Sequence, residues 1–419
     1  MKSALSIAIT CGAALAGAAH AQDKVNLEYW VYSDFAQGEA LKLQETFIAE
    51  FEAAHPGVSI AISGKGDDDL TAGQVAGAMS GSGPDVFMNA TSAGAALVRA
   101  GALKNIYGDW MAMPEDFRAE FTDDLIDVCR PAAETLYCLP YTGYGSFMYR
   151  NLHVLAEAGI DPAAPITHWS VWMDQIRQIG ETGKSAIPDE AQVWPSVAEI
   201  YSGIANDDEW GADFANDVTR INPEKFAQAG QLLLDMAPYT SGTSRNDQAT
   251  RDLFISNQLA FYITGPWVNP TFVNAGMVYG QDYDWVLVPG ATAEQQGGIK
   301  GHEFIAVAPK DHADIAWEFA AYVAAKEQQI RWSTLLGRYV ANAAALSDPE
   351  VQANPLLAIT NQATEKALYN QAPFFVEPYP NDYWSELADM ATAIAQGDVT
   401  PEEGAAELVE NLNEILADR

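Results

Sequence analysis

Apolar residues first recur with a period of two. Between Lys24 and Tyr32, Val25, Leu27, Tyr29 and Val31 alternate with other residues, which predicts a half-buried strand. The period then becomes helical: Leu43, Phe47, Ile48 and Phe51 share one face, and His55-Pro56-Gly57 stops the helix. Val58, Ile60 and Ile62 alternate again. A Gly-, Ala- and Ser-rich helical stretch runs to Gly83, and Pro84-Asp85-Val86-Phe87-Met88 reads as a third strand. This β-α-β-α-β order predicts a mostly parallel sheet covered by helices. Such sheets bind ligands at the carboxyl ends of their strands. Here those ends are Ser33-Asp34, Gly66-Asp67-Asp68 and Asn89-Ala90-Thr91-Ser92.

A second α/β region is expected over residues 142–299. Helices are predicted for Trp169–Ile179 and Pro223–Met236, strands for Leu259–Ile263 and Trp285–Val288, and a further helix after Pro309. The last helix has a written start: Thr400 as N-cap, Pro401 in the first position and Glu403 three residues after the cap. Ala405, Leu408, Leu412 and Ile415 form its apolar stripe. No repeat, low-complexity tract or long polar linker interrupts the pattern. Two α/β units joined by several short crossings favour hinge motion.

A chain of 419 residues suits about two domains, and 48% hydrophobic against 19% charged residues is enough to build a core. Residues 1–21 change the picture. Met1-Lys2, an apolar run from Ala4 to Ala19 and Ala19-His20-Ala21 read as a cleavable export signal, with the mature chain starting at Gln22. Cutting there discards Cys11. No later stretch has the roughly 18 apolar residues that span a bilayer. The expectation is a soluble periplasmic protein. Cleavage removes one base, Lys2, and leaves 21 bases against 57 acids. That balance disfavours nucleic acid and anionic membrane surfaces as partners.

The two cysteines that survive cleavage, Cys129 and Cys138, are close in sequence and face an oxidising compartment. A disulfide stapling a turn between two short strands is expected. No metal site or cofactor is expected, since no histidine sits at ligand spacing from them. Enzyme signatures fail. His302-Glu303 is followed by Ala306 where a zinc protease needs a second His, Gly183-Lys184-Ser185 lacks the earlier Gly of a phosphate loop, and no G-x-S-x-G occurs. The 57 acids leave a chance glycosidase pair open. Aromatic residues carry more: 11 Trp and 17 Tyr, with Gly265-Pro266-Trp267 after a strand and Tyr379-Pro380-Asn381-Asp382-Tyr383-Trp384 before a helix. Flat rings at loop ends can stack on sugar CH faces while Asp, Asn and Arg bond the hydroxyls.

Taken in order, several short stretches resemble the sugar-binding solute-binding proteins of ABC importers, the group that includes maltose-binding protein. They are Leu27-Glu28-Tyr29-Trp30, Phe51-Glu52-Ala53-Ala54-His55-Pro56-Gly57, Gly83-Pro84-Asp85-Val86-Phe87, Leu136-Tyr137-Cys138-Leu139-Pro140 ahead of Met148-Tyr149-Arg150-Asn151, and Phe254–Ala260 leading into Gly265-Pro266-Trp267. Val58-Ser59-Ile60, Gly297-Gly298, the Pro309-Lys310 helix start and Gly397 before Thr400-Pro401-Glu402-Glu403 complete the set. Each is weak alone; their shared order and spacing carry the likeness across nearly the whole mature chain.

The resemblance implies an α/β, two-lobe periplasmic binding protein fold with a ligand cleft and hinge between the lobes. It implies crossings near Thr142, Lys300 and Arg331. The expected division is residues 22–141 with 300–330 in the N-terminal lobe and 142–299 with 331–419 in the C-terminal lobe. By local spacing it assigns ligand contacts to Asp34, Asn89, Ser92, Tyr144, Trp267 and Trp384, and less directly to Gln192 and Trp194. Strand ends and loops add Asp67, Asp68, His302, Glu303 and Arg338. The aromatic that maltose-type members carry near Asn89 is absent, which argues against a maltodextrin. The implied function is capture of a mono- or oligosaccharide by a monomeric, non-enzymatic receptor that delivers it to a membrane permease. The rivals are another solute, such as an anionic sugar derivative that Arg338 and His302 would suit, a polyamine or iron, and a periplasmic glycoside hydrolase.

Overall fold

A computed structural model describes residues 24–366, 368–369 and 381–418; the side chains of Asp67, Asp68 and Ser92 fall outside that description. So do the expected export signal and Tyr379-Pro380. Among the described residues twelve strands form, in chain order β1 Val25–Tyr32, β2 Val58–Lys65, β3 Val86–Ala90, β4 Leu139–Gly145, β5 Phe147–Asn151, β6 Ala212–Asp213, β7 Val218–Thr219, β8 Phe261–Thr264, β9 Tyr283–Val286, β10 Ile299–Val307, β11 Tyr339–Val340 and β12 Leu368–Tyr369.

The first sheet runs β11-β4-β10-β3-β1-β2, with β12 beside β10. Its opening follows the alternation in the sequence. Leu27, Tyr29 and Val31 of β1 are buried, and β1 pairs in parallel with β2 and with β3. Two helices, α1 Gly38–Ala54 and α2 Asp67–Ser80, provide the crossovers. The sheet is mixed rather than mostly parallel. β10 runs antiparallel to both β3 and β4, and β11 antiparallel to β4, because these strands belong to chain passages that leave the sheet and return.

The second sheet, β8-β5-β9, is antiparallel and buried on both faces. Its period of two sorts the side chains: Met148, Phe261 and Ile263 enter one core, while Phe147, Tyr149 and Tyr262 enter another on the opposite face. Helices Trp169–Gly180, Pro223–Met236, Asn381–Gln396 and Pro401–Ala417 cover the first of these faces. In the last helix the Thr400 hydroxyl accepts from the Glu403 N–H at 3.2 Å, and Ala405, Leu408, Leu412 and Leu416 are buried.

The core of the first sheet runs from Leu27 to Tyr141 and resumes from Phe304 to Ala345. The segment 331–345, expected in the C-terminal lobe, therefore gives Trp332, Leu336, Val340 and Ala345 to the first core. Thr142 binds the Tyr339 carbonyl at 2.5 Å and Asn342 binds Glu120 at 2.8 Å, which ties the segment down. The chain leaves the first core after Ala345 and joins the third at Leu356, Ile359 and Ala363.

The other two passages lie side by side. β4 becomes β5 at Ser146, and β10 begins just after Gly297-Gly298. The Ser146 backbone N–H donates to the Ile299 carbonyl at 2.9 Å, and its hydroxyl accepts from the Ile299 N–H at 2.8 Å. Gly298, at φ +110°, keeps the approach open, since a Cβ there would stand 2.9 Å from the Ser146 carbonyl oxygen.

Cys129 and Cys138 are disulfide-bonded and buried in the first core. The staple differs from the expected hairpin on one side. Cys129 follows a short helix, Asp123–Asp127, and only Cys138 leads into a strand. A backbone bond from Tyr137 N–H to the Cys129 carbonyl, 3.1 Å, closes the turn.

Candidate ligand cleft

A cavity of about 320 Å³ opens between the two sheets' cores. Its first wall is the turn after β1, with Asp34 and Phe35, together with Leu336 and Arg338 at the approach to β11. The opposite wall carries Gln248 and Arg251 from helix Gln248–Ile255, Trp267 from the turn after β8, and Thr271 and Asn274 from helix Asn269–Asn274. Volume and mixed lining match a small-molecule site at the lower end of the ~300–1,000 Å³ range.

Each wall has a reason to hold its shape. Phe35 is buried, packs on Trp332 at 4.9 Å between ring centres, and supports the Arg338 guanidinium 4.3 Å above its ring. Arg338 also donates to both Glu303 carboxylate oxygens at 3.0 Å, so the two charges largely cancel inside the wall. On the other side, Gly265 lets the Trp267 ring fold back over the backbone. A Cβ at Gly265 would come within 1.9 Å of that ring. Tyr144, at the end of β4, meets Trp267 edge-on at 5.3 Å and 88°, which brings aromatic side chains from the two sheets together beside the cleft.

Of the expected contacts, Asp34, Trp267 and Arg338 line this cavity, Tyr144 touches it through Trp267, and Glu303 reaches it through Arg338. His302 lies one strand position away, on β10 beside Gly143 and Tyr339; burial first, and then the Lys300 charge, pull its pKa down to about 4. It is neutral near pH 7 and supplies no positive charge to an anion.

Asn89 is buried and its amide is engaged within the protein. It donates to Thr71 at 2.9 Å and Gln74 at 2.6 Å and accepts from the Tyr32 hydroxyl at 3.0 Å. It fastens α2 to the sheet. Gln192 is exposed and donates to Asp189 at 2.8 Å. Trp194 and Trp384 stack on each other at 4.5 Å with Trp210 at 5.6 Å from Trp384, forming an aromatic ledge against the second core.

The residues that the sequence reading passed over are Phe35, Gln248, Arg251, Thr271 and Asn274. Phe35 was legible as the residue after Asp34. Thr271 and Asn274 follow Gly-Pro-Trp within one helical turn or two. Arg251 carried no local signal, because a lone Arg on a short helix reads as solvated surface.

The bacterial extracellular solute-binding protein family model matches residues 46–359. Among solved structures, the GacH receptor of Streptomyces glaucescens is similar at 18% identity and TM-score 0.79, covering 94% of this chain and 99% of the receptor. A solute-binding protein from Thermotoga lettingae has 18% identity and TM-score 0.76, covering 94% and 100%. The maltotriose-binding protein of Thermus thermophilus has 14% identity and TM-score 0.74, covering 93% and 99%. No curated protein matches the chain. These likenesses establish the two-lobe binding-protein fold with its intervening cleft, and the family match extends over three quarters of the chain: it belongs to the bacterial extracellular solute-binding proteins.

Proposed function

We propose that this protein captures a sugar in the cleft between its lobes and presents it to the membrane permease of an ABC importer. The observation that carries the reading is the cleft's pairing of an aromatic face, Trp267, with hydrogen-bonding groups from both walls, Asp34 opposite Gln248 and Asn274. An indole face stacks on sugar CH groups, and short polar side chains bond hydroxyls. The similar structures support it: one is a receptor in complex with acarbose, another is bound with tagatose and a third with maltotriose. Asp34, Trp267 and Arg338 are the contacts of this reading, Tyr144 steadies the indole, and the lobes meet at Ser146, at Gly298 and between residues 346 and 355.

The protein acts as a monomer exported by cleavage after Ala21, binds one equivalent of ligand and returns it unchanged. The test is a thermal-shift screen of a neutral and acidic carbohydrate library, followed by calorimetry and analysis of the recovered sugar. A sugar at a hundred times its Kd should add about 2.7 kcal/mol of stability. Recovery of a cleaved product would replace a receptor with a glycoside hydrolase, and no response across the library would remove the sugar.

A further inference from the structure

The charges around the cleft do not cancel symmetrically. On the first wall, Arg338 is paired with Glu303, and Glu39 is paired with Lys42 at 2.5 Å. Among the described acids lining that wall, Asp34 is the one without an ion pair. On the second wall, Arg251 is half-buried, contacts Gln248 at 3.3 Å and makes no ion pair with any described residue. Among the described residues, the cleft therefore holds one unpaired negative charge on one lobe and one unpaired positive charge on the other.

Arg338 adds a donor without adding a charge. It is 4% exposed, lines the cavity, and its Nε–H is buried without a hydrogen-bond partner. A buried donor left unmade is costly, and a ligand oxygen at that position would recover the bond. Guanidinium groups match carboxylates in shape as well as charge.

We propose that the ligand is a sugar bearing a single carboxylate, a uronic or aldonic acid, and that Arg251 selects it. The inference rests on the sugar reading above and narrows it. The sugar's hydroxyls donate to Asp34 while its carboxylate meets Arg251, so the ligand completes a charge pair on the second lobe that the protein leaves open. One uncompensated cation suits one negative charge. A sugar phosphate carries nearly two, and Arg338 cannot supply the second because Glu303 already holds it.

Calorimetry on the mature protein with glucose, galactose and mannose, their uronates and glucose 6-phosphate tests this. A uronate should bind at least about tenfold more tightly than its neutral parent, and the gap should shrink as salt is raised. In Arg251→Gln the uronate-to-neutral affinity ratio should fall toward one, and Arg251→Lys should restore part of it. Equal or tighter binding of the neutral sugar overturns the inference while leaving the sugar reading intact. So does a preference for the phosphate, or a uronate preference that survives Arg251→Gln in a variant whose far-ultraviolet circular dichroism is unchanged. Binding of no sugar at all, acidic or neutral, overturns both.

Discussion

Trp267 owes its position to what the residue two before it lacks. The indole lies over Gly265 and against Tyr144, and its loss would leave the third core untouched because the ring only packs on that core's rim. Trp267→Ala should weaken sugar binding roughly ten- to a hundredfold, the worth of about 1.5–3 kcal/mol of buried apolar face. A core tryptophan such as Trp332 would instead cost about 3–5 kcal/mol of fold stability on truncation. Affinity and ligand-free melting temperature measured on the same Trp267→Ala protein separate the two roles. A collapsed melting temperature with intact affinity would make it a packing residue. Gly265→Ala should reproduce part of the affinity loss by pushing the ring away.

A second residue speaks through pH. Glu190 is fully buried, facing Glu199, Arg245, Ser196 and Asp189. Burial, and then the Glu199 charge, raise its pKa from 4.5 to about 8. The folded state thus holds a proton that the unfolded state releases. The associated stability is complete below pH 4.5 and is lost as pH rises toward 8. Glu190→Gln should flatten the fall in melting temperature over that window; an unchanged slope would show Glu190 ionised in the fold. His302 works in the opposite sense, losing stability as pH falls from 6.5 toward 4, so the comparison of variant with parent is what isolates Glu190. Neither effect could be read from the sequence. Burial of a lone Glu or His depends on distant packing, just as Asn89 looked like a ligand contact at a strand end until its partners on α2 and β1 were in place.

Elements were more legible than residues, because their signals are local. The helix Pro223–Met236 has the bounds that Asn222, Pro223 and the apolar stripe dictate, and β1, α1 and β2 follow the switch of period from two to 3.6 and back. What escaped was direction and partnership. The antiparallel placement of β10 between β3 and β4 is a fact about the chain's return from the other lobe, and no pattern within Ile299–Val307 encodes it. The same holds for residues 331–345, whose apolar stripe fits either lobe until Trp332 meets Phe35 and Tyr141. Two tests belong to this scale. Reducing Cys129–Cys138, nine residues apart, should cost about 2–3 kcal/mol through the freed loop, seen as a lower denaturation midpoint with dithiothreitol. Ser146→Ala should strand the Ile299 N–H, for about 1–3 kcal/mol, and should loosen the coupling of the two adjacent passages. A variant with parental stability would show that water replaces the hydroxyl.

At the scale of the whole molecule, the question is what a ligand does to two lobes that share so little. Each sheet has its own core, and the passages between them are short: Ser146, Gly298 and residues 346–355. Between the walls, the aromatic contact of Tyr144 with Trp267 is a single edge-on pair. A ligand that bonds Asp34 and Arg338 on one wall and stacks on Trp267 on the other adds contacts that exist only when the walls are close. It must therefore shift the population toward the closed form by the difference in its affinity for the two forms. Small-angle scattering at saturating sugar should show a smaller radius of gyration than the free protein. The change should be weaker in Trp267→Ala at equal occupancy, because one wall has lost its share of the bridge. A profile that is unchanged at saturation, in protein that calorimetry shows to be fully bound, would mean that the ligand enters a rigid site and that the passages at Ser146 and Gly298 are a brace instead of a hinge.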